Sequence, residues 1–111
     1  MNTMTLIALA EPNRLRIVEL LRDSPSCSVG EITNRLHLRQ PQVSKHLRAL
    51  NEAGIVRVRP LARQRIYDLN AKPLEDLGSW IGSFRSLWAR TFRRLPDAEE
   101  RGLTDAAIEE D

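Results

Sequence analysis

Polar side chains that can bond nucleotide bases are concentrated in one short stretch of the sequence. They are Gln40, Gln42, Ser44, Lys45, His46 and Arg48. Glutamine can bond adenine through two hydrogen bonds, arginine and lysine can bond guanine, and serine can bond a base or a phosphate. A second polar set, whose guanidinium groups suit phosphates or a narrow minor groove, consists of Arg57, Arg59, Arg63, Gln64 and Arg65. These residue types predict contact with a nucleic acid.

The distribution of charge supports the same prediction. The chain has 111 residues and a formal net charge of only +2, but seven of its 15 acidic residues lie after Pro96. Residues 1–95 therefore carry 16 basic and eight acidic side chains, which is typical of a domain with an anionic partner. We expect residues 1–95 to form one DNA-binding and dimerisation domain, and residues 96–111 to form an acidic, disordered tail.

Composition argues against several other classes of protein. The longest apolar run, residues 6–10, is too short to cross a membrane, and the first residues carry no basic group of a secretory signal. The single cysteine, Cys27, cannot form an internal disulfide, so we expect a cytoplasmic protein. No Ser-His-Asp arrangement, phosphate-cradling glycine loop or paired-carboxylate site is evident, and we do not expect an enzyme.

Helices are predicted on both sides of a short connection that precedes the polar stretch. Residues 4–10 are expected to form a short apolar helix or arm, and apolar spacing predicts a helix over residues 12–22. Ser28 and Glu31 have the spacing of a capping box and predict a short helix through residue 36. Pro41 fits the first turn of the next helix, which we expect to end at Gly54. Two short helices joined by residues 37–40 are the result.

A basic β-hairpin and a long final helix complete the predicted elements. Residues 55–59 alternate apolar and basic side chains, and residues 65–69 are predicted as the returning strand. Asn70 is expected to cap a helix from about residue 71 to about residue 95. The fold class is therefore mainly α with a small β-hairpin, and its order is that of a winged helix-turn-helix.

Apolar residues near both ends of this region predict a dimer. The expected interface residues are Leu6, Ile7, Leu9, Leu77, Trp80, Ile81, Phe84, Leu87 and Trp88. Those of the final helix follow a spacing of three and four residues, which a helix uses to pack along another helix. A two-fold dimer places two recognition helices about 34 Å apart, one turn of DNA. The expected partners are thus a second copy of the chain and palindromic double-stranded DNA, with no membrane.

Three stretches of the sequence match a known pattern. They are AEPNRLRI at residues 10–17, QPQVSKHLRAL at residues 40–50 and EAGIV at residues 52–56. In these stretches the chain resembles the ArsR-type repressors, from about residue 6 to residue 92. The resemblance implies a winged-helix homodimer that binds a palindromic operator and usually represses its own transcription unit. By position it makes Gln40, Gln42, Ser44, Lys45 and Arg48 the recognition-helix contacts and residues 63–65 the tip of the wing.

The chain departs from this family at the metal sites, and we expect neither a metal nor a cofactor. Arsenic- and cadmium-sensing members carry a Cys-Val-Cys-Asp-like motif where this chain has Ser28-Val29-Gly30-Glu31, so both thiolates are missing. The family's other site uses histidines and carboxylates of the last helix, where neither His37 nor His46 lies. For His46 we expect packing or a phosphate contact. The wing tip also lacks the glycine common in the family.

The leading hypothesis is a homodimeric, metal-independent repressor that recognises a DNA sequence. One alternative is a regulator that senses a thiol reagent through Cys27, or a ligand at the dimer interface. Another is a winged-helix module that binds a protein instead of DNA, although the surplus of positive charge argues against it.

Overall fold

The computed structural model describes residues 2–93 of the chain. Its elements are α1 (Thr3–Leu9), α2 (Pro12–Asp23), β1 (Cys27–Ser28), α3 (Val29–Leu36), α4 (Gln40–Glu52), β2 (Val56–Leu61), β3 (Gln64–Leu69), α5 (Ala71–Gly82) and α6 (Arg85–Arg93). Residues 2–76 form one unit, and residues 77–93 belong to a second. The mainly helical fold with a small wing is confirmed, and the predicted tail, residues 96–111, lies outside the described residues.

Helices begin where the sequence supplies an acceptor for their free N–H groups. Before α2, Glu11 Oε2 accepts the backbone N–H of Arg14 at 2.9 Å. Before α3, Ser28 Oγ accepts the N–H of Glu31 at 3.2 Å, and Glu31 Oε1 accepts the N–H of Ser28 at 3.1 Å. The predicted capping box is therefore confirmed, and losing an N-cap of this kind costs about 1 kcal/mol.

One apolar core holds α2, α3, α4 and the sheet together. Its most enclosed aliphatic side chains are Ile17, Leu21, Ile32, Val43, Leu47, Leu50, Ile55 and Val56, each at most 2% exposed. Val43, Leu47 and Leu50 follow helical spacing along one side of α4. Burying one such side chain stabilises the fold by about 1.5–3 kcal/mol. The core therefore fixes which side of α4 faces outward.

The sheet has three antiparallel strands in the order β1–β3–β2, one strand more than the predicted hairpin. The additional strand, β1, pairs Cys27 with Tyr67 and Ser28 with Ile66. A strand of two residues has no alternation of apolar and polar side chains that a sequence pattern could detect. Its pairing instead depends on residues far along the chain.

β2 and β3 form the wing, whose turn is tighter than predicted. Leu61 pairs with Gln64, so only Ala62 and Arg63 form the turn, in place of the predicted connection over residues 60–64. Ala62 has a φ of 56°, in the left-handed region that glycine enters without cost. For an alanine this conformation costs roughly 1–2 kcal/mol of conformational free energy. The missing glycine therefore does not prevent the turn.

The final helix is interrupted, which corrects the prediction of one helix over residues 71–95. α5 ends at Gly82 and α6 begins at Arg85, while residue 95 lies outside the described residues. At the break the Ser83 hydroxyl donates to the carbonyl of Trp80 at 2.5 Å. Glycine has low helix propensity, and a serine side chain competes with the backbone for carbonyl acceptors. Together Gly82 and Ser83 account for the interruption.

Candidate nucleic-acid interface

Helix α4 presents the predicted polar residues to solvent. Val43, Leu47 and Leu50 are fully buried and hold its other side in the core. The exposed residues of α4 include Gln40, Gln42, Ser44, Lys45 and Arg48. The Gln42 side chain also helps to begin the helix, because its Oε1 accepts the backbone N–H of Arg39 at 3.3 Å. Its NH2 group remains available as a donor.

A tight connection sets the angle between α3 and α4. His37 ends α3 in the left-handed conformation, with a φ of 55°. The N–H of Leu38 then donates to the carbonyl of Thr33 at 3.3 Å, which closes the last turn of α3. Arg39 is extended and leads directly into α4. This is the short connection predicted for residues 37–40.

The structure sets His46 apart from the rest of the predicted set. Its side chain is 13% exposed, and its Nε2 lies 3.6 Å from Glu11 Oε2. The same carboxylate oxygen caps α2, so this contact links the recognition helix to the start of α2. The position favours the packing role that we considered for His46.

A cleft between α4 and the wing brings the two predicted polar sets together. We call it the helix–wing cleft; its lining includes Ser44, Arg48, Asn51, Val58, Arg65 and Tyr67, and its volume is about 330 Å³. Ser44, Arg48 and Asn51 lie along one side of α4, at spacings of four and three residues. The strand register places Arg65 and Tyr67 on the same face of β3.

The opposite face of the wing carries a second cleft, with a volume of about 370 Å³, which we call the outer wing cleft. Its lining includes Arg57, Arg59 and Asp68. Arg59 Nε lies 3.4 Å from Asp68 Oδ2, while the Ser26 hydroxyl donates to Asp68 Oδ1 at 2.5 Å. Arg59 Nη2 also donates to Ser26 Oγ at 3.5 Å. The Arg59 guanidinium is therefore already bonded to the Asp68 carboxylate and the Ser26 hydroxyl.

Most of the predicted cations are available to a ligand. Within residues 2–93, no hydrogen bond or ion pair involves the side chains of Lys45, Arg48, Arg57, Arg63 or Arg65. Their residues are all exposed. Of the predicted cations, only Arg59 has an ion-pair partner among the described residues. Unpaired guanidinium and ammonium groups on one surface attract phosphates.

Four residues of this surface were not predicted from the sequence. Asn51 extends the row begun by Ser44 and Arg48, and its helical spacing was a usable signal. Tyr67, Ser26 and Asp68 depend on strand pairing between distant parts of the chain, and the sequence carries no local sign of it.

Cys27 is enclosed rather than poised for chemistry. Its residue is 2% exposed, and its Sγ donates to the carbonyl of Ser24 at 3.1 Å. Burial, with a smaller contribution from the carboxylate of Glu31, raises the pKa of the Cys27 thiol above its ordinary value. A raised pKa reduces the thiolate fraction, and the thiolate is the reactive form.

Neither a cluster of metal-ligating side chains nor a helix able to span a membrane occurs in the described part of the chain. Among residues 2–93, no three histidine, cysteine, aspartate or glutamate side chains are grouped so that they could hold a metal ion. No helix in that range has the length and apolar character needed to cross a membrane.

Apolar side chains are exposed in both units of the chain. In α1, Met4, Leu6 and Ile7 are 51%, 38% and 65% exposed, while Leu9 is half-buried. In the second unit the large apolar side chains that are exposed are Trp80, Ile81, Phe84 and Leu87, and those that are half-buried include Leu77 and Trp88. The rings of Trp80 and Phe84 meet edge to face, with centroids 5.2 Å apart. Apart from Met4, these are the residues predicted for a dimer interface.

Comparison with known proteins finds the same fold and family. The family "Bacterial regulatory protein, arsR family" matches residues 11–58. The HTH-type transcriptional regulator Rv2034 of Mycobacterium tuberculosis is 35% identical over 92 residues, which cover 83% of this chain and 85% of that protein. The HTH-type transcriptional repressor SmtB of the same organism is 45% identical over 62 residues, which cover 56% of this chain and 45% of that protein.

A solved structure agrees with the fold described above. The homodimeric winged helix-turn-helix DNA-binding domain of Mb0332 from Mycobacterium bovis superposes with a TM-score of 0.62 at 23% identity, covering 76% of this chain and 77% of that one. The winged helix-turn-helix prediction is therefore confirmed. The family match at residues 11–58 and the similarity to Rv2034 over most of both sequences show that the chain is a transcriptional regulator belonging to the arsR family of bacterial regulatory proteins.

Proposed function

We propose that this chain is a homodimeric repressor that places α4 in the major groove of a palindromic DNA operator. The arrangement of α4 carries this proposal. Three buried anchors hold one side of the helix in the core, while Gln42, Lys45 and their exposed neighbours face solvent beside a wing with unpaired arginines. A major groove about 12 Å wide accepts a helix in this orientation. The relative SmtB is named a repressor, which supports repression as the outcome of binding.

The two polar sets have different roles in this proposal. Gln40, Gln42, Ser44 and Lys45 meet base edges or the phosphates beside them, because they lie at the N-terminal end of α4. Arg57, Arg63, Gln64 and Arg65 of the wing contact the flanking backbone or the minor groove. Phosphate contacts make binding weaken steeply as salt concentration rises.

Dimerisation completes the site, because a palindrome requires two copies of α4. The exposed apolar residues of α1, α5 and α6 are suited to an interface with a second copy. The related domain of Mb0332 is homodimeric, which supports this assembly. We therefore assign Leu6, Ile7, Trp80 and Phe84 to the proposed interface, together with the other apolar residues predicted for it.

The residues at the positions of the family's metal-binding motif support the proposal that regulation does not use a metal. Ser28 and Glu31 are bonded to each other's backbone N–H groups in the capping box, so their side chains serve the start of α3. Capture of a soft metal needs several thiolates, and this chain has one cysteine. We further propose that the operator controls the chain's own operon and that the protein acts in the cytoplasm.

Footprinting on DNA from upstream of the chain's own coding sequence tests the proposal. We expect two protected half-sites whose centres lie about one helical turn, roughly 34 Å, apart. Sedimentation equilibrium should give the mass of a dimer. A chelator, or addition of zinc, cadmium or arsenite, should leave the affinity unchanged. Equal affinity for this fragment and for an unrelated duplex of the same length would contradict sequence recognition.

A further inference from the structure

We propose that the helix–wing cleft holds one phosphate group of the DNA backbone, bound jointly by Arg48 of α4 and Arg65 of β3. This inference rests on the proposed function and deepens it. Arg48 then positions the protein on the DNA backbone instead of bonding a guanine. Base recognition is left to residues such as Gln42 and Lys45, which do not line the cleft.

The cleft is lined by donors that have no partner among the residues that the structure describes. Arg48 and Arg65 each supply a guanidinium group, Ser44 and Tyr67 each supply a hydroxyl, and Asn51 supplies an amide. Within residues 2–93 none of these side-chain groups makes a hydrogen bond or ion pair. These guanidinium, hydroxyl and amide groups can all donate hydrogen bonds, so the complementary ligand is one whose polar atoms are all acceptors. A phosphate diester offers two charged oxygens, and charge-assisted bonds to arginine are the stronger kind of hydrogen bond.

Electrostatics favours an anion at this position. Two positive charges line one cleft of about 330 Å³, and none of the described aspartates or glutamates lines it. The two positive charges repel each other. An anion bound between them is attracted to both and offsets their repulsion. The outer wing cleft provides the contrast, because Asp68 already accompanies Arg59 there.

The position of the cleft favours a backbone phosphate over a free anion. One wall belongs to the helix proposed to enter the major groove, and the other belongs to the wing proposed to lie on the flanking DNA. The sugar-phosphate backbone is the part of DNA that borders the groove. Arg48 and Arg65 are exposed, so a polymer can reach them without opening the fold. A single phosphate bound from both elements would fix the register of α4 along the groove.

A methylphosphonate scan of the footprinted operator tests the inference. Each phosphate in turn is replaced by an uncharged methylphosphonate, and affinity is measured by fluorescence anisotropy for the full chain. For the unaltered protein we expect several contacted phosphates to be sensitive. The one position in each half-site that the cleft holds should weaken binding about tenfold, as for loss of a charged phosphate contact. Arg48→Ala and Arg65→Ala should each weaken binding and lose most of the sensitivity at that same position. The double variant should bind little worse than either single variant, because both remove one shared contact.

Arg57→Ala is the matched control. Arg57 is an exposed, unpaired arginine of the wing that does not line the helix–wing cleft, so its variant should keep full sensitivity at the shared position. Retained sensitivity in Arg48→Ala, with altered base preference instead, would overturn the inference while leaving the proposed function intact. A flat scan, combined with a response of the Arg48 and Arg65 side-chain NMR signals to inorganic phosphate, would also overturn it by assigning the cleft to a free anion. Absence of binding to any upstream DNA would overturn the proposed function itself.

Discussion

The two faces of the wing both carry arginines, but they differ in what surrounds those arginines. On one face, Arg65 shares the helix–wing cleft with Arg48, and no carboxylate from residues 2–93 lines it. On the other face, Asp68 lies beside Arg59 and accepts a hydrogen bond from Ser26. An exposed ion pair of this kind contributes only about 0–1 kcal/mol to stability. Its larger effect is on availability, because a guanidinium bonded to its own protein has less to gain from a phosphate.

The count of arginines in the wing is therefore a poor guide to its binding surface. Arg59 and Arg65 have the same side chain and lie on paired strands. A single aspartate distinguishes them, and its position is determined by the strand register. Adding a carboxylate to the helix–wing cleft should therefore make its arginines less available to a phosphate, and removing Asp68 should make Arg59 more available.

The largest effect is expected when a carboxylate is added to the helix–wing cleft. Asn51→Asp places a negative charge beside Arg48 and Arg65, as Asp68 does for Arg59. We expect operator affinity to fall about 10- to 100-fold, since like charges brought together at an interface cost several kcal/mol. Fluorescence anisotropy at fixed salt measures the change. Asn51→Ala is the control and should cost less than about threefold; equal losses in the two variants would argue against a phosphate in the cleft.

A smaller difference is expected between two single arginine variants. Arg65→Ala should weaken binding to operator and random DNA alike by about tenfold and reduce the slope of log K against log salt by about 0.9. Arg59→Ala should weaken binding less than about twofold, because Asp68 and Ser26 already bond Arg59. Salt titrations of both variants test the difference. If Arg59→Ala lost as much affinity as Arg65→Ala, the distinction between the two faces of the wing would be removed.

A gain in affinity is expected when the outer wing cleft loses its carboxylate. Asp68→Asn releases Arg59, so affinity for random DNA should rise about two- to fivefold and the salt dependence should become steeper. The free energy of unfolding should fall by less than about 1 kcal/mol, because the amide oxygen can still accept from Ser26. The control is Asp76→Asn, which breaks an exposed pair with Lys72 in α5 while leaving the wing unaltered. A similar gain in Asp76→Asn would attribute the effect to net charge alone.

The smallest effect is expected from oxidants. Cys27 pairs with Tyr67 in the sheet, but its thiol is buried and its pKa is raised. Alkylation by iodoacetamide should therefore reach half its maximal rate at a higher pH in the native protein than in the unfolded chain. Peroxide should leave DNA binding unchanged, as should Cys27→Ser. Loss of binding with peroxide, prevented by Cys27→Ser, would favour the thiol-sensing hypothesis.

The same thiol sets a direction for stability at high pH. Its pKa is raised in the folded state, so it favours folding while the thiol remains protonated in both states. This contribution is lost as pH rises through the unfolded and then the folded pKa. Cys27→Ala should therefore lose less stability in the alkaline range than the unaltered chain does, as measured by urea unfolding at increasing pH.

Features set by neighbouring residues were predictable from the sequence. The capping box of Ser28 and Glu31, the buried row of Val43, Leu47 and Leu50, and the exposure of Lys45 all follow from helical spacing. The interruption at Ser83 also had a local signal in the preceding glycine, but the apolar row continues across it and favoured one unbroken helix.

Features set by pairing between distant residues were not predictable. Strand β1 exists because Cys27 and Ser28 meet β3, and its own two residues carry no pattern. The contact between Ser26 and Asp68 joins residues 42 positions apart. Which arginine faces Asp68 follows from the register of β2 and β3, and composition does not contain that register.

The alternation along β3 also limits how the wing can change during evolution. Arg65 and Tyr67 point to the cleft, while Asp68 lies on the reverse face. Deleting a single amino acid inside the strand would exchange the two faces and carry Arg65 toward the carboxylate. Homologous sequences should therefore conserve the length of this strand, with insertions confined to the turn at Ala62 and Arg63.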